Sequence, residues 1–536
     1  MTKSKIPSFD KFRMVSEGEL LKAGKLFILV ILVLTVVPVF AQSVDTAWVR
    51  RYNGPPGNSY DVANAIMVDS SGNVYVTGYS IGSETGEDYA TIKYYSNGDT
   101  AWVRRYNGPA NAMDDAYAIA VDDSGNIYVT GRSYGGRTCF DYATIMYYPN
   151  GDTAWVRRYN GSANADDVPC AIAVDGSGNV YVTGYSHSLG NGTFYDYATI
   201  KYYPGGDTAW VRIYDGPGND DDEATAITVD GSGSVYITGY SYGSETFSDY
   251  ATIKYYHNGD TVWVRRYNGP GNAWDKANAL VVDGSGNVYV TGYSTGSGTS
   301  EDYATIKYYS NGDTAWVKRY NGPGNGADWA DALGVDGSGS IYVTGSSYGI
   351  GTYSDYATIK YYYNGDTAWV RRHDGPGNDV DYAFALGVDG SGNIYATGSS
   401  CGSGTRSDYS TTKYYSNGDV AWERRYNGPA NGDDYAFAMS LDGSGNVYVT
   451  GVSNDSDTST DYATIKYVQF LCGDCNKDGV VDVGDVVYLI NYLFKSGPSP
   501  LPILHAGDTN CDEMVDVGDV IFLINYLFKG GPEPSC

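Results

Sequence analysis

The sequence is poor in basic residues and in histidine. Its 536 residues include 35 Lys and Arg against 63 Asp and Glu, which gives a net charge of −28. Nucleic-acid binding needs clustered Lys and Arg to neutralise phosphates, so this balance argues against a nucleic-acid partner. The four histidines lack the spacing of metal ligands, and neither a His-Glu-x-x-His motif nor a phosphate loop is present. Enzyme signatures are therefore scarce, although two catalytic carboxylates could be hidden among the many Asp residues.

Glycine and tyrosine are abundant instead, with 70 and 55 copies. Many glycine-bearing turns between aromatic or β-branched runs are typical of an all-β protein. The acidic surplus favours a solvated surface, and acidic side chains are also the ligands that Ca²⁺ sites need.

The first 41 residues have the pattern of an export signal. Lys22 and Lys25 precede an apolar run from Leu26 to Ala41, which is short for a membrane span and suits a signal peptide. We place cleavage near Ala41; Met14 is an alternative start, and an uncleaved anchor is the alternative to cleavage. The mature chain is then expected to be secreted, extracellular or at the cell surface, with no stable membrane span.

Tryptophan marks an internal repeat of 53 to 55 residues. Its eight copies are Trp48, Trp102, Trp155, Trp210, Trp263, Trp316, Trp369 and Trp422. The unit that begins at Asp260 contains four strand-like runs, "VWVRRY", "ANALVV", "NVYVTGYS" and "YATIKYY". "DGSGN" lies between the second and third runs, and "SNGD" lies between the fourth run and the first run of the next unit. Both are tight turns, so these runs should pair as antiparallel hairpins. Four strands per unit are typical of a β-propeller blade.

The phase of the repeat predicts how the propeller closes. The last unit ends after its third strand, near Val468, and the first "DTAWVRRYNG", from Asp45, is an outer strand without its own blade. Pairing these two segments completes eight blades and removes exposed sheet edges. The units resemble bacterial β-propeller repeats of the SBBP type, found in secreted proteins, over residues 45–470. That resemblance implies a scaffold and does not define one activity.

Two of the connections in each unit vary, while the "DGSGN" and "SNGD" turns barely change. In a propeller both variable connections emerge on one face, where recognition usually resides. We expect aromatic and acidic residues of these loops to bind a polysaccharide or a protein ligand; loop drift without function is the alternative. These residues are Trp274, Trp329, Phe247, Tyr195, Asp220, Asp221 and Asp222.

After Phe470 the repeat stops, and two related segments follow. The spacing of oxygen-bearing residues in each segment is that of a twelve-residue EF-hand-type Ca²⁺ loop, followed by an amphipathic helix. The predicted ligands of the first loop are Asp474, Asn476, Asp478, Val480 through its carbonyl, Asp482 and Asp485. Those of the second are Asp508, Asn510, Asp512, Met514 through its carbonyl, Asp516 and Asp519. Gly479 holds the sixth position of the first loop, where the second has Glu513 in a strained left-handed conformation. We expect two Ca²⁺ ions.

The paired loops and helices of residues 472–536 resemble a type I dockerin module. This resemblance implies docking onto a cohesin-like domain of an extracellular assembly, and the near-duplication would permit two docking orientations. The positions implied to contact the partner are Val483, Gly484, Ile490, Asn491, Lys495, Val517, Gly518, Ile524, Asn525 and Lys529. The Ser or Thr often seen in the loop is absent, which puts the usual cohesin specificity in doubt. A self-contained Ca²⁺-stabilised cap is the alternative, and a disulfide between Cys472 and Cys536 would bracket the module.

Together these features predict an all-β, eight-bladed propeller with a small α-helical Ca²⁺-binding module. The favoured function is a secreted, non-catalytic binding or scaffold protein, with a link to polysaccharide catabolism. One alternative is a carbohydrate-active enzyme, a glycoside hydrolase or a lyase, carried on the propeller. A structural cell-envelope protein is the other.

Overall fold

The computed structural model describes residues 42–55, 57, 59–187, 194–455 and 459–534. The expected signal segment, residues 1–41, and Cys536 lie outside the described residues. The predicted architecture is confirmed: eight four-stranded antiparallel sheets form a propeller, and two helices follow at the C-terminus. The first strands of neighbouring blades contact one another around the axis.

Each blade takes four strands in chain order from the inside outwards, and the eighth takes its outer strand from the N-terminus. Blades 1 and 2 contain β2 (Asp61–Val68), β3 (Val74–Gly82), β4 (Gly86–Tyr94), β5 (Thr100–Tyr106), β6 (Asp114–Val121), β7 (Ile127–Tyr134), β8 (Phe140–Tyr147) and β9 (Thr153–Tyr159). Blades 3 and 4 contain β10 (Asp167–Val174), β11 (Val180–His187), β12 (Tyr195–Tyr202), β13 (Thr208–Tyr214), β14 (Asp222–Val229), β15 (Val235–Tyr242), β16 (Ser248–Tyr255) and β17 (Thr261–Tyr267).

The second half of the ring repeats the pattern. Blades 5 and 6 contain β18 (Asp275–Val282), β19 (Val288–Thr295), β20 (Glu301–Tyr308), β21 (Thr314–Tyr320), β22 (Asp328–Val335), β23 (Ile341–Tyr348), β24 (Ser354–Tyr361) and β25 (Thr367–His373). Blades 7 and 8 contain β26 (Asp381–Val388), β27 (Ile394–Cys401), β28 (Ser407–Tyr414), β29 (Val420–Tyr426), β30 (Asp434–Leu441), β31 (Val447–Asn454), β32 (Thr460–Leu471) and β1 (Gln42–Tyr52).

The "DGSGN" turns are stabilised by their own aspartate, as their composition predicts. Asp69 Oδ1 accepts hydrogen bonds from the backbone N–H groups of Ser71 and Asn73, both at 2.9 Å. Its other oxygen accepts from the hydroxyl of the buried Tyr75 at 2.9 Å. The turn aspartate therefore caps its own backbone and anchors the following strand.

The "SNGD" turns tie each blade to its neighbour. At the first of them, Trp48 Nε1 donates to the carbonyl of Ser96 at 3.2 Å, and Arg50 Nε donates to the carbonyl of Gly98 at 2.6 Å. Gly98 has φ of 86°, and a Cβ there would lie 2.8 Å from the Trp48 ring. Only glycine fits this turn, because the outer strand of the preceding blade packs directly against it.

The hydrophobic core lies between the blades. In the cluster between blades 1 and 2, Tyr75, Tyr89 and Trp102 pack on Ile127 and Ile145 of the next sheet. Tyr89 is fully buried, and its hydroxyl donates to a backbone carbonyl of the following blade at 3.1 Å. Equivalent clusters recur around the ring, so each blade depends on its neighbours for a complete core.

The eighth blade closes the ring as the sequence predicts. Strand β1 pairs with β32 in antiparallel register from Gln42 opposite Leu471 to Tyr52 opposite Tyr462. Closure leaves no blade with a free third strand, which is how the fold avoids an exposed edge.

In blade 8 a glutamine side chain supplies the hydrogen-bond acceptor that a turn between the third and outer strands supplies in the other blades. In blade 1, Lys93 and Trp102 both donate to the carbonyl of Pro149 in the next blade's turn, each at 3.2 Å. Blade 8 has no such turn, because its outer strand comes from the other end of the chain. Here the Gln469 side-chain oxygen accepts from Lys413 Nζ at 2.5 Å and from Trp422 Nε1 at 3.4 Å.

Within the blades, the second arginine of "WVRRY" pairs with the aspartate of "DYAT". Arg105 Nη2 lies 2.9 Å from the nearly buried Asp88 and also donates to the Ser80 carbonyl at 2.6 Å. Seven described blades have this ion pair. Blade 3 has Ile213 at the arginine position, and Asp196 holds the aspartate position in the adjacent strand.

The C-terminal module consists of helix α1 (Val483–Lys495), a 3₁₀ turn (Leu504–Gly507) and helix α2 (Val517–Lys529). Each helix begins with a capping box, formed by Asp482 and Asp485 in α1 and repeated in α2. Strand β32 ends at Leu471, directly before the module. Cys472 is disulfide-bonded, and its predicted partner Cys536 lies outside the described part of the chain.

Candidate calcium and docking sites

The first predicted calcium loop folds inward around its carboxylates. The two oxygens of Asp474 accept backbone N–H groups of Asp478 at 3.1 Å and of Gly479 at 2.9 Å. From the start of α1, Asp485 accepts the N–H of Cys475 at 2.8 Å. The first and twelfth positions of the loop are thereby drawn to the same side of the backbone.

The second loop repeats this geometry. Asp508 accepts from the backbone of Asp512 at 3.1 Å and of Glu513 at 2.9 Å, and Asp519 accepts from Thr509 at 2.7 Å. Glu513 has φ of 68°, which confirms the left-handed conformation predicted at this position. The loop therefore keeps its shape without the glycine.

The other predicted positions fit the same pattern. The Asn476 side-chain oxygen accepts from the backbone of Asp478 at 2.8 Å, as Asn510 does from its counterpart at 3.0 Å. The side chains of Val480 and Met514 are more than half exposed, which suits residues that would offer only a carbonyl.

Charge in the loops also suits a cation. Burial raises the pKa of Asp485 to about 6, and it raises the pKa values of Asp474 and Asp519 as well. Like charges held together in partly buried surroundings favour a bound cation, and a set of oxygen donors suits a hard ion such as Ca²⁺.

The predicted docking positions lie along the helices and differ in exposure. Val483 and Val517 are 50% and 46% exposed at the two helix starts, and Lys495 and Lys529 are exposed at the two ends. Ile490, Asn491, Ile524 and Asn525 are half-buried. Each helix therefore presents the same residue types at matching places.

Further apolar residues are exposed on both helices, although the sequence interpretation did not select them. Val487 and Phe494 are 51% and 63% exposed on α1, and Ile521 and Phe528 are 53% and 64% exposed on α2. Exposed apolar side chains at equivalent positions mark a surface for a protein partner. Comparing the two segments residue by residue with the helical period could have identified them.

The module also contacts the propeller. His505 Nδ1 of the 3₁₀ turn lies 2.5 Å from an Asp45 carboxylate oxygen in β1. A cavity of about 300 Å³ lies beside this contact and is lined by Arg424 and Phe470 of the propeller and by Glu513 of the second loop. The closing blade and the second loop are therefore neighbours.

The two variable connections of each blade meet on one face, as predicted. Tyr195 N donates to Asp221 at 3.1 Å across them, and Phe247 stacks on Trp274 with ring centroids 6.0 Å apart. The expectation for Asp222 is wrong, because this residue is fully buried and does not belong to the exposed face. It accepts from the backbone of Tyr242 at 3.1 Å, and burial raises its pKa to about 7.

A Gly-x-Ser-x-Gly pattern, familiar from hydrolase nucleophiles, occurs six times at the ends of the second strands. Its serines are structural. Ser80 is fully buried in a strand and accepts a hydrogen bond from Arg105 at 2.5 Å. A nucleophile elbow needs a strand-to-helix turn that exposes the serine, which this position lacks.

The fold and these loops define a class: a β-propeller fused to a paired EF-hand-type module. Five repeats match the SBBP family, described as a beta-propeller repeat, at residues 47–84, 101–136, 154–191, 209–245 and 262–298. Residues 472–528 match the dockerin type I domain. The chain therefore contains SBBP-type β-propeller repeats and a C-terminal dockerin type I domain. Dockerin type I domains bind calcium and cohesins.

Solved structures show only a remote likeness in fold. An inactive virginiamycin B lyase from Staphylococcus aureus with quinupristin is 11% identical, with 66% of this chain and 96% of that chain covered and a TM-score of 0.35. A protein of unknown function from Dyadobacter fermentans is 10% identical, with 79% and 98% covered and a TM-score of 0.38. An ulvan lyase of family PL25 is 12% identical, with 70% and 95% covered and a TM-score of 0.35. No curated protein matches the chain. Among the described residues, no helix is long and apolar enough to span a membrane.

Proposed function

We propose that this protein is an exported, non-catalytic scaffold. Its propeller recognises a ligand through the variable-loop face, and its dockerin attaches it to a cohesin-type partner outside the cell or at its surface. The observation that carries the proposal is the pair of matching calcium-loop and helix units, which expose equivalent apolar residues. A link to polysaccharide breakdown belongs to the same proposal.

Each loop of the module would hold one Ca²⁺ ion. The ligands would be the carboxylates and amides at loop positions 1, 3, 5, 9 and 12, with the carbonyls of Val480 and Met514 at position 7. Oxygen donors brought together this closely repel one another until an ion neutralises them. Calcium would therefore fix both loops, and with them the start of each helix.

The docking surface would combine the predicted positions with the exposed apolar residues of both helices. Val483, Val487 and Phe494 of α1 would form one version of this surface, and Val517 and Ile521 begin the corresponding version on α2. Half-exposed apolar residues flanked by lysines resemble the apolar core and polar rim of a protein interface. Two equivalent surfaces support two docking orientations.

The proposal is tested with the mature chain, captured on a panel of type I cohesin domains with calcium and then with chelator. We expect capture by at least one cohesin in calcium and its loss on chelation. The double variant Asp485→Ala, Asp519→Ala should lose capture, whereas Asp123→Gly, which removes an exposed propeller carboxylate, should keep it.

Capture that survives chelation, or that persists in the double variant, would contradict calcium-dependent docking. Release of reducing sugars or unsaturated fragments from polysaccharides by the same chain would overturn the non-catalytic part and favour the enzyme. Cell-surface retention without any ligand or cohesin would favour the structural envelope protein.

A further inference from the structure

The innermost strands alternate between constant and variable positions. Their first and fifth residues are Asp and Ala in all eight units, and the third is Ala in every unit except at Pro169. The first and third residues are buried, as Asp275 and Ala277 are, whereas the fifth residue and the intervening Lys276 are half-exposed. At the variable-loop end of these strands, the second and fourth positions therefore vary between blades while the first and third are nearly constant.

Blades 4 to 6 carry a group of aromatic residues at this variable-loop end. Phe247 and Trp274 stack with an interplanar angle of 26°, and they are 52% and 50% exposed. Tyr242 meets Trp274 edge-on, with centroids 5.9 Å apart. Packing against other rings holds these aromatic side chains in place before any ligand arrives.

Two more ring pairs lie in the same three blades. Tyr240 lies 6.4 Å from Tyr242 in blade 4, and Tyr293 of blade 5 lies 6.1 Å from Trp329 of blade 6, which is 42% exposed. We call these six residues the aromatic track: Phe247, Trp274, Tyr242, Tyr240, Tyr293 and Trp329.

Charged groups lie among the rings on the side nearer the propeller axis. Lys276 Nζ sits 5.3 Å from the centre of the Tyr240 ring, and Glu223 is paired with Tyr240 across the strands. Asn278 donates to Asp331 at 3.3 Å. The track therefore has apolar ring faces with hydrogen-bonding donors and acceptors beside them.

We infer that the aromatic track binds a neutral polysaccharide; this rests on the proposed recognition role of the propeller and names its ligand. Sugar rings have C–H faces that suit the electron-rich faces of aromatic side chains. Their hydroxyl edges suit the amide, ammonium and carboxylate groups beside the track.

The charges around the aromatic track favour a neutral polysaccharide over an anionic polysaccharide or a protein. The chain carries a net charge of −28, and Lys276 stands beside Glu223 and Asp331, so a polyanionic glycan would be repelled. Protein interfaces exclude charged residues from their buried centre, whereas here Lys276 and Glu223 lie directly beside the rings. A neutral chain of hydroxylated rings fits both features.

The test is native affinity electrophoresis of the mature chain in gels that contain a neutral β-glucan, mannan or xylan, or polygalacturonate as the anionic polymer. We expect retardation by at least one neutral polymer and none by polygalacturonate. Trp274→Ala should lower the affinity about tenfold, since central aromatic contacts dominate such sites. Tyr256→Ala is the matched control, because this 52% exposed ring lies at the opposite end of the strand that follows Phe247.

Lack of retardation by all three neutral polymers, retardation by polygalacturonate alone, or an equal loss with Tyr256→Ala would overturn the inference. So would a track that captures a protein and no glycan. The unfolding midpoint of each variant is measured as well. An unchanged midpoint shows that a loss of affinity does not come from a folding defect. Calcium-dependent cohesin capture is measured on the same variants, and its persistence in Trp274→Ala separates a failed ligand assignment from a failed docking proposal.

Discussion

Replacing Gln469 by leucine removes the side chain that stands in for the missing turn of the closing blade. Gln469 is 7% exposed, and its amide nitrogen donates to the Tyr395 hydroxyl at 3.0 Å while its oxygen accepts from Lys413 and Trp422. Leucine has a similar size and no polar atoms. The change therefore removes hydrogen bonds with little change in packing volume.

The expected loss follows from the burial of Lys413, which is 1% exposed. A buried hydrogen bond to a charged group contributes about 1.5–3 kcal/mol. We expect Gln469→Leu to lower the free energy of unfolding of the propeller by about 2 kcal/mol, measured by urea denaturation at neutral pH. In blade 1 the corresponding acceptor is the backbone carbonyl of Pro149, which a side-chain substitution does not remove. At Gln469 the acceptor is a side chain, so a single substitution can delete it.

A double-mutant cycle separates the bond to Lys413 from general packing. With Lys413→Met as the background, the effect of Gln469→Leu should fall below about 1 kcal/mol, because the charge that needed the acceptor is gone. Equal losses in both backgrounds would refute this explanation of the closure.

The pH dependence of stability gives an independent check. Burial lowers the pKa of Lys413 from its ordinary 10.5 to about 8. Between these values the unfolded chain binds more protons than the folded chain, so the stability contributed by this residue rises from pH 8 to 10.5. Lys413→Met should remove that rise.

Three further results are expected. Ile213→Arg should raise the free energy of unfolding by about 1 kcal/mol, because it introduces the arginine that pairs with the equivalent aspartate in seven other blades; no gain in urea midpoint would contradict it. Gly98→Ala should lower it by about 1–2 kcal/mol through left-handed strain and contact with Trp48, while Gly176→Ala, where a Cβ meets nothing within 4 Å, should be nearly neutral. Chelation should abolish a separate, calcium-dependent unfolding transition of the module and leave that of the propeller unchanged in calorimetry; a single unaffected transition would argue against calcium-linked folding.

The sequence was sufficient to predict the propeller because its information is local and repeated. Period-two runs between glycine turns predict four strands per unit, and the phase of the last unit predicts that β1 pairs with β32. The shape of the two C-terminal loops was predictable for the same reason, since the predicted ligands of each loop lie within twelve consecutive residues.

Contacts between residues distant in the sequence, and the burial of individual residues, were not predictable. Gln469 lies at the end of β32, where ring closure interrupts the repeated pattern, and contacts Lys413, 56 residues earlier in the chain, so no local pattern connects them. Asp222 was wrongly placed on the exposed face because it ends a variable loop, while its carboxylate accepts a hydrogen bond from the backbone of the adjacent strand in its own blade. Hydrophobicity alone would assign Phe494 and Phe528 to a core. The helical period identifies apolar positions, but it does not distinguish those that pack inside the module from those that a partner would cover.

The direct passage from β32 into the dockerin has a mechanical consequence. The tail leaves β32 at Leu471, and the variable-loop face lies at the other end of that strand, near Thr460. Tension between an anchored tail and a ligand on that face would run lengthwise along β32, which is hydrogen-bonded to β1 on one side and to β31 on the other. Force would then shear two full ladders at once instead of peeling one bond at a time, and the N-terminal strand that closes the ring would also bear load.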